Sequence, residues 1–159
     1  MISENILKTI LSSITNYFKK FNLGEVTVYP SFLTEPNDFP SHQYSGIIKI
    51  TGPISGIIYL SAPSKFLQHI LRQLNQPYNE EYYIDLVSEM SNIFAGNLRR
   101  LFGKSFSISV PLSNKKNINE LVNNSQRACV IPIEYKREKA ILVIVFEKME
   151  VVDYEEIER

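Results

Sequence analysis

The run Ala140–Phe146, AILVIVF, has no polar side chain at any position. A strand with one wet face alternates apolar and polar residues, so an unbroken apolar run suits a strand covered on both faces. The chain must therefore supply a sheet that contains this segment and layers that cover it. Just before it, RACVIPIEY reads as a second strand, joined to KAILVIVFE by the charged turn KRE at 136–138. YSGIIKI (44–50) and GIIYLSA (56–62) form another candidate pair, and the Gly52-Pro53 dipeptide of the intervening TGPIS suits a turn. EVTVYP alternates weakly and is a further strand candidate; SFSISVP (105–111) alternates and stops at a proline. TEPNDFPSHQ (34–43), with two prolines, reads as a loop, and KKNINELVNN as a polar segment with room for one helical turn.

Between these strands the apolar period changes to that of a helix. In ENILKTILSSITNYFKKF, residues Ile6, Leu7, Ile10, Leu11, Ile14, Tyr17, Phe18 and Phe21 make a stripe continuous over four turns, with Ser3 as the start cap and Gly24 as the expected stop. Pro63 and Ser64 open a second helix, SKFLQHILRQL, whose stripe is Phe66, Leu67, Ile70, Leu71 and Leu74. NQPYNE ends it, and a third helix is predicted from about 81 to 102. Helices mixed with hairpins, without strict βαβ alternation, indicate an α+β sheet with helices on one face.

At 159 residues, one domain spanning 1–159 is expected, with an acidic tail at 147–159. Lys+Arg and Asp+Glu are both 17, so the net charge is zero. No concentrated basic face is available to displace counterions, and no nucleic-acid partner is expected. One cysteine and two histidines build neither a Cys/His zinc site nor an internal disulfide. No apolar run approaches the ~20 residues of a membrane span, and MISENILKT lacks the basic and apolar regions of a secretory signal. A cytoplasmic protein without membrane insertion is expected.

The third helix, EYYIDLVSEMSNIFAGNLRRLFG, carries two stripes. At about 100° per residue, Leu86, Met90 and Ile93 fall together, and Tyr83, Val87, Phe94, Leu98 and Leu101 widen that apolar face. Asp85, Glu89, Asn92 and Gly96 lie within about 60° of one another, roughly 140° from its centre. A carboxylate and a carboxamide one turn apart on an outward face point at the same external partner. Gly96 costs about 1 kcal/mol relative to Ala in a helix interior, and its missing side chain would let a partner approach closely. As a bare motif Glu-x-x-Asn is weak, since ordinary solvated helix faces carry it too.

The pattern Asp85-x3-Glu89-x2-Asn92-x3-Gly96 resembles the signature helix of the CheC/CheX/FliY chemotaxis phosphatases. The preceding GIIKITGPISGIIYLSAPSKFLQHILRQL resembles the family's glycine-paired hairpin and short helix, so the likeness covers roughly 44–111 and extends to the N-terminal helix. Only one Glu-x-x-Asn helix is present, because Glu4 is followed three residues later by Leu7; this resembles the CheX branch. The family's proline beyond the helix has its nearest match in Pro111, somewhat early.

The resemblance implies a mixed, largely antiparallel sheet with an N-terminal helix and two further helices packed on one face. It implies hydrolysis of the aspartyl-phosphate of a CheY-type response regulator, in chemotaxis or another two-component system. Asn92 would hold the attacking water in line with phosphorus, and Glu89 would pair with the regulator's active-site lysine. Asp85 would orient or contact the partner's surface, and Gly96 would let the helix enter the partner's site. The chain would need no cofactor of its own, because the Mg²⁺ belongs to the regulator. A homodimer formed through the sheet is also implied, with Ile141–Phe146 as the candidate contact. The alternative is a non-catalytic module on the same fold that binds a response regulator or a flagellar or signalling partner; weaker still is a structural homodimer with an incidental polar stripe.

The remaining reactive side chains read as structural. Cys129 sits in an apolar strand as a small core residue. His69 and His42 have no second ligand or substrate-facing partner in view, and Arg99-Arg100 and Lys115-Lys116 read as solvated basic pairs that could attract an acidic regulator surface.

Overall fold

The computed structural model describes residues 3–112, 118–122 and 126–149. The Lys115-Lys116 pair and the acidic tail beyond Met149 lie outside the described residues.

Helix α1 (Glu4–Lys20) starts where the Ser3 hydroxyl accepts a hydrogen bond from the Ile6 N–H at 3.2 Å. Ile6, Ile10, Ile14, Tyr17 and Phe18 are its buried stripe. The stop is not Gly24 but Asn22, which takes the left-handed conformation at φ 53°. The Leu23 N–H bonds the Phe18 carbonyl at 2.9 Å and the Asn22 N–H bonds the Lys19 carbonyl at 3.2 Å. These are the two bonds of a Schellman cap, and Asn is the residue after Gly that best tolerates that conformation.

The strands are β1 (Thr27–Val28), β2 (Phe32–Leu33), β3 (Tyr44–Thr51), β4 (Ile54–Ala62), β5 (Ser107–Ile108), β6 (Cys129–Tyr135) and β7 (Glu138–Met149). They form one sheet in the order β1-β6-β7-β4-β3-β5, with β2 also paired to β6, and each of these pairings is antiparallel. The expected hairpins are present: β3–β4 turns at Gly52-Pro53 and β6–β7 at Lys136-Arg137. The weak strand signal of EVTVYP shrinks to Thr27–Val28, because Pro30 interrupts the edge before β2 resumes it.

β7 lies between β4 and β6, and its side chains divide between two apolar layers. Leu142 and Ile144 face the helices with Ile48, Ile50, Ile58 and Leu60. Val143 and Val145 join Ile47, Ile57, Tyr59 and Val130 on the opposite face. That second face is covered by irregular chain: Phe39, Leu112, Ile118, Leu121 and Val122 pack there, and the Tyr59 hydroxyl donates to the Pro40 carbonyl at 2.7 Å. The unbroken apolar run thus meets a layer on each side. The same placement narrows the dimer contact expected at Ile141–Phe146. Ile141–Ile144 are paired with β4 on one side and β6 on the other, so that stretch offers no free strand edge to a second copy.

Helices α2 (Ser64–Gln73), α3 (Glu80–Gly96) and α4 (Arg99–Phe102) follow the first hairpin. The single helix predicted over 81–102 is therefore two helical pieces. After Gly96 the bonding pattern tightens: the Leu98 N–H reaches the Ala95 carbonyl and the Leu101 N–H the Leu98 carbonyl. Asn97 is tied to α1 through its side-chain amide, which donates to the Ser13 hydroxyl, while Leu98 turns fully into the core. Gly96 is consequently the last residue of α3 rather than an interior one, so the full interior-glycine penalty does not apply to it.

Candidate active site

The site helix α3 is positioned by its buried side. The Asn79 side chain caps its start, accepting the Tyr82 N–H at 3.1 Å. Leu86, Val87, Met90, Phe94 and Ala95 fill the core. Two small residues let the helix sit unusually close to the sheet. At Gly46 on β3, an added Cβ would lie 2.4 Å from the Val87 carbonyl oxygen and 2.7 Å from the Ser88 Cα. On β4, the backbone N–H of Leu60 donates to the buried Ser91 hydroxyl at 2.9 Å. The sequence marks Gly46 only as part of a hairpin; its role in seating α3 comes from the helix lying across β3.

This seating leaves Asp85, Glu89 and Asn92 exposed on the outer face, with Gly96 half-buried at the end of the same stripe. All four residues predicted for the site therefore share one side of one helix. Gly96 has no left-handed backbone requirement, and a Cβ there would make only an ordinary 3.8 Å contact with the Ile108 side chain. Among the described residues, nothing in the packing demands a glycine at that position.

Two neighbours were not found from sequence. Tyr17 of α1 is buried beside α3, its ring edge-on to Phe94 at 5.9 Å and tilted against Phe21 at 4.8 Å. Burial, and secondarily the Glu89 carboxylate, pushes its phenol well above the ordinary tyrosine range. The second neighbour is a groove of about 390 Å³ between the end of α2 and the first half of α3. Leu71, Leu74 and Leu86 give it an apolar floor, Gln76 and Tyr82 form the rim, and Asp85 and Glu89 line the side shared with the stripe. Neither feature has a local sequence signal, because Tyr17 and Leu74 serve amphipathic stripes like any other core residue.

The other reactive groups stay apart. The Cys129 thiol is buried, and burial raises its pKa against a smaller opposing effect of a hydrogen bond with Ser31. His42 is held below the ordinary imidazole range by burial, and its backbone N–H donates to Ser61. Among the described residues no group of three or more His, Cys, Asp or Glu side chains is arranged to hold a metal ion. No helix among them is long and apolar enough to cross a membrane.

An exposed amide can donate and accept hydrogen bonds at once, and an adjacent carboxylate attracts a cation. On a rigid helix the pair can orient a water and fix a docking register. The sequence around this helix decides the family: residues 44–134 match the model described as chemotaxis phosphatase CheX. The chain belongs to the CheX family. The matched residues run from the first hairpin through the site helix to β6. No curated protein matches the chain in sequence. Solved structures carry the same fold. A CheC-like superfamily protein from Shewanella sp. PV-4 is 22% identical, over 92% of this chain and 100% of that one, with a TM-score of 0.71. Chemotaxis protein CheX from Vibrio vulnificus is 20% identical over 90% and 99%, at 0.70. The Borrelia burgdorferi CheX–CheY–BeF3–Mg²⁺ complex contains a chain 16% identical over 89% and 97%, at 0.67.

Proposed function

We propose that this CheX-family chain hydrolyses the aspartyl-phosphate of a CheY-type response regulator, using Glu89 and Asn92. What supports the reading is that both side chains stand exposed one turn apart on a helix inside the family-matched segment. The Asn92 amide holds a water against phosphorus. As the water oxygen bonds to phosphorus, the bond to the aspartyl oxygen breaks, leaving a free carboxylate and inorganic phosphate. This transition state is loose and asks for positioning more than covalent chemistry. An amide supplies that positioning without adding negative charge beside the phosphoryl oxygens.

Glu89 pairs with the regulator's lysine and fixes the docked register. Asp85 makes a neighbouring surface contact, and bare Gly96 lets the partner approach the end of α3. The Mg²⁺ is the regulator's; a complex of a related chain with CheY is described with that ion. The homodimer is likewise a proposal. Because Ile141–Ile144 are paired on both sides, we put its contact instead on the outer edge formed by β1 and β2, where Phe32 and Leu33 are exposed by 52% and 53%. An unpaired edge bearing apolar side chains is a template for a second strand.

The test is the phosphate lifetime of phosphorylated CheY-type regulators from the same cell, with and without substoichiometric protein. Multiple turnovers support the enzyme. Binding with an unchanged lifetime supports the non-catalytic module instead.

A further inference from the structure

We infer that the groove between α2 and α3 receives an apolar side chain of the phosphorylated regulator, next to the basic group that Glu89 engages. The inference rests on the phosphatase reading and adds to it a pocket that selects among regulators.

The groove is built rather than incidental. Its α2 side is set by a second Schellman cap, in which Asn75 is left-handed at φ 57°. The Asn75 N–H bonds the Arg72 carbonyl at 3.1 Å and the Gln76 N–H bonds the Leu71 carbonyl at 2.9 Å. This turns the chain sharply at the end of α2 and holds Gln76 at the rim. Two of the three floor residues are packed into the core: Leu71 and Leu86 are 4% and 5% exposed. At about 390 Å³ the space is at the small end of ligand sites, which run from ~300 to ~1,000 Å³.

Charge identifies the occupant. Asp85 and Glu89 both line the groove, and the nearby cation of Arg72 lies over the Tyr78 ring at 5.6 Å. An apolar floor with carboxylates on one side fits a protein surface that presents an apolar side chain beside a basic one. The groove is also continuous with the proposed site through Asp85 and Glu89, so a partner aligned on Glu89 necessarily covers it. Its contacts form equally in the ground and transition states, and such binding moves KM rather than kcat.

The experiment compares wild type, Gln76→Trp and Leu74→Ala on the regulator that wild type binds most tightly, measuring Kd by titration alongside KM and kcat. Gln76 is exposed, so its Trp variant fills the groove without removing a core contact, and an unchanged thermal midpoint checks that the fold is kept. Gln76→Trp is expected to raise Kd and KM about tenfold or more with kcat within about twofold; Leu74→Ala acts in the same direction. Unchanged Kd and KM in Gln76→Trp overturn the groove. If wild type binds but does not hydrolyse, the phosphatase reading falls while Kd still decides the groove. If wild type binds no regulator, both fall.

Discussion

The Ser91 hydroxyl on α3 accepts the backbone N–H of Leu60 on β4 at 2.9 Å, fixing the site helix to the sheet one residue before Asn92. Both groups are buried. Ser91→Ala removes this bond while Leu60 keeps its ladder neighbours Gly46 and Leu142, so the expected cost is that of one intramolecular hydrogen bond, about 0.5–1.5 kcal/mol. Urea unfolding is expected to show that loss with an unchanged slope. A variant as stable as wild type would mean that the bond does not hold the helix.

Gly46 is the complementary contact. A Cβ at that position meets backbone atoms of Val87 and Ser88 inside 3 Å, and backbone cannot rotate out of the way as a side chain can. Gly46→Ala must lift α3 from β3, an overpacking cost of about 1–3 kcal/mol. Because α3 carries Asn92, phosphatase turnover is expected to fall along with the unfolding midpoint. Unchanged values of both would contradict the close seating of the helix.

The buried phenols set a limit at alkaline pH. Tyr17 and Tyr59 both have their pKa raised, chiefly by burial, so folding favours the neutral form. Below the ordinary tyrosine value of ~10 the phenols are neutral in both states, and their contribution is fully present. As pH rises through that value the unfolded chain ionises first and stability is lost. A thermal midpoint that is flat at neutral pH and falls above about pH 10 is expected. Tyr17→Phe should flatten that fall while leaving neutral-pH stability within about 1 kcal/mol, since no hydrogen bond to its hydroxyl is found among the described residues. An equally steep fall in the variant would exclude Tyr17 as a source.

Much of the framework was legible because it rests on local periodicity. The hairpin at Gly52-Pro53, the stripes of α1 and α2, and the doubly covered run of β7 all follow from residues close in sequence. The polar stripe of α3 was legible for the same reason, and the family likeness gave it a chemical meaning. What was not legible depends on single residues acting at a distance. Phe39 and Val122 cover the second sheet face from segments that otherwise read as polar loop. Asn22 and Asn75 end their helices in a conformation that pattern reading assigns first to glycine. The bend after Gly96 comes where Asn97 meets Ser13 on α1, a contact between residues 84 apart in sequence. The groove needs the end of α2 folded against α3, and no local pattern marks it.

The most direct measurement is kcat and KM for dephosphorylation of a phosphorylated CheY-type regulator by wild type and Asn92→Ala. Removing one hydrogen-bonding side chain that acts on the transition state, an oxyanion-hole donor for instance, costs about 10²–10³-fold in kcat. A loss of at least about 10²-fold in kcat, with KM and regulator affinity nearly unchanged, is the expected result. An Asn92→Ala variant that clears the phosphate as fast as wild type would contradict the water-positioning role.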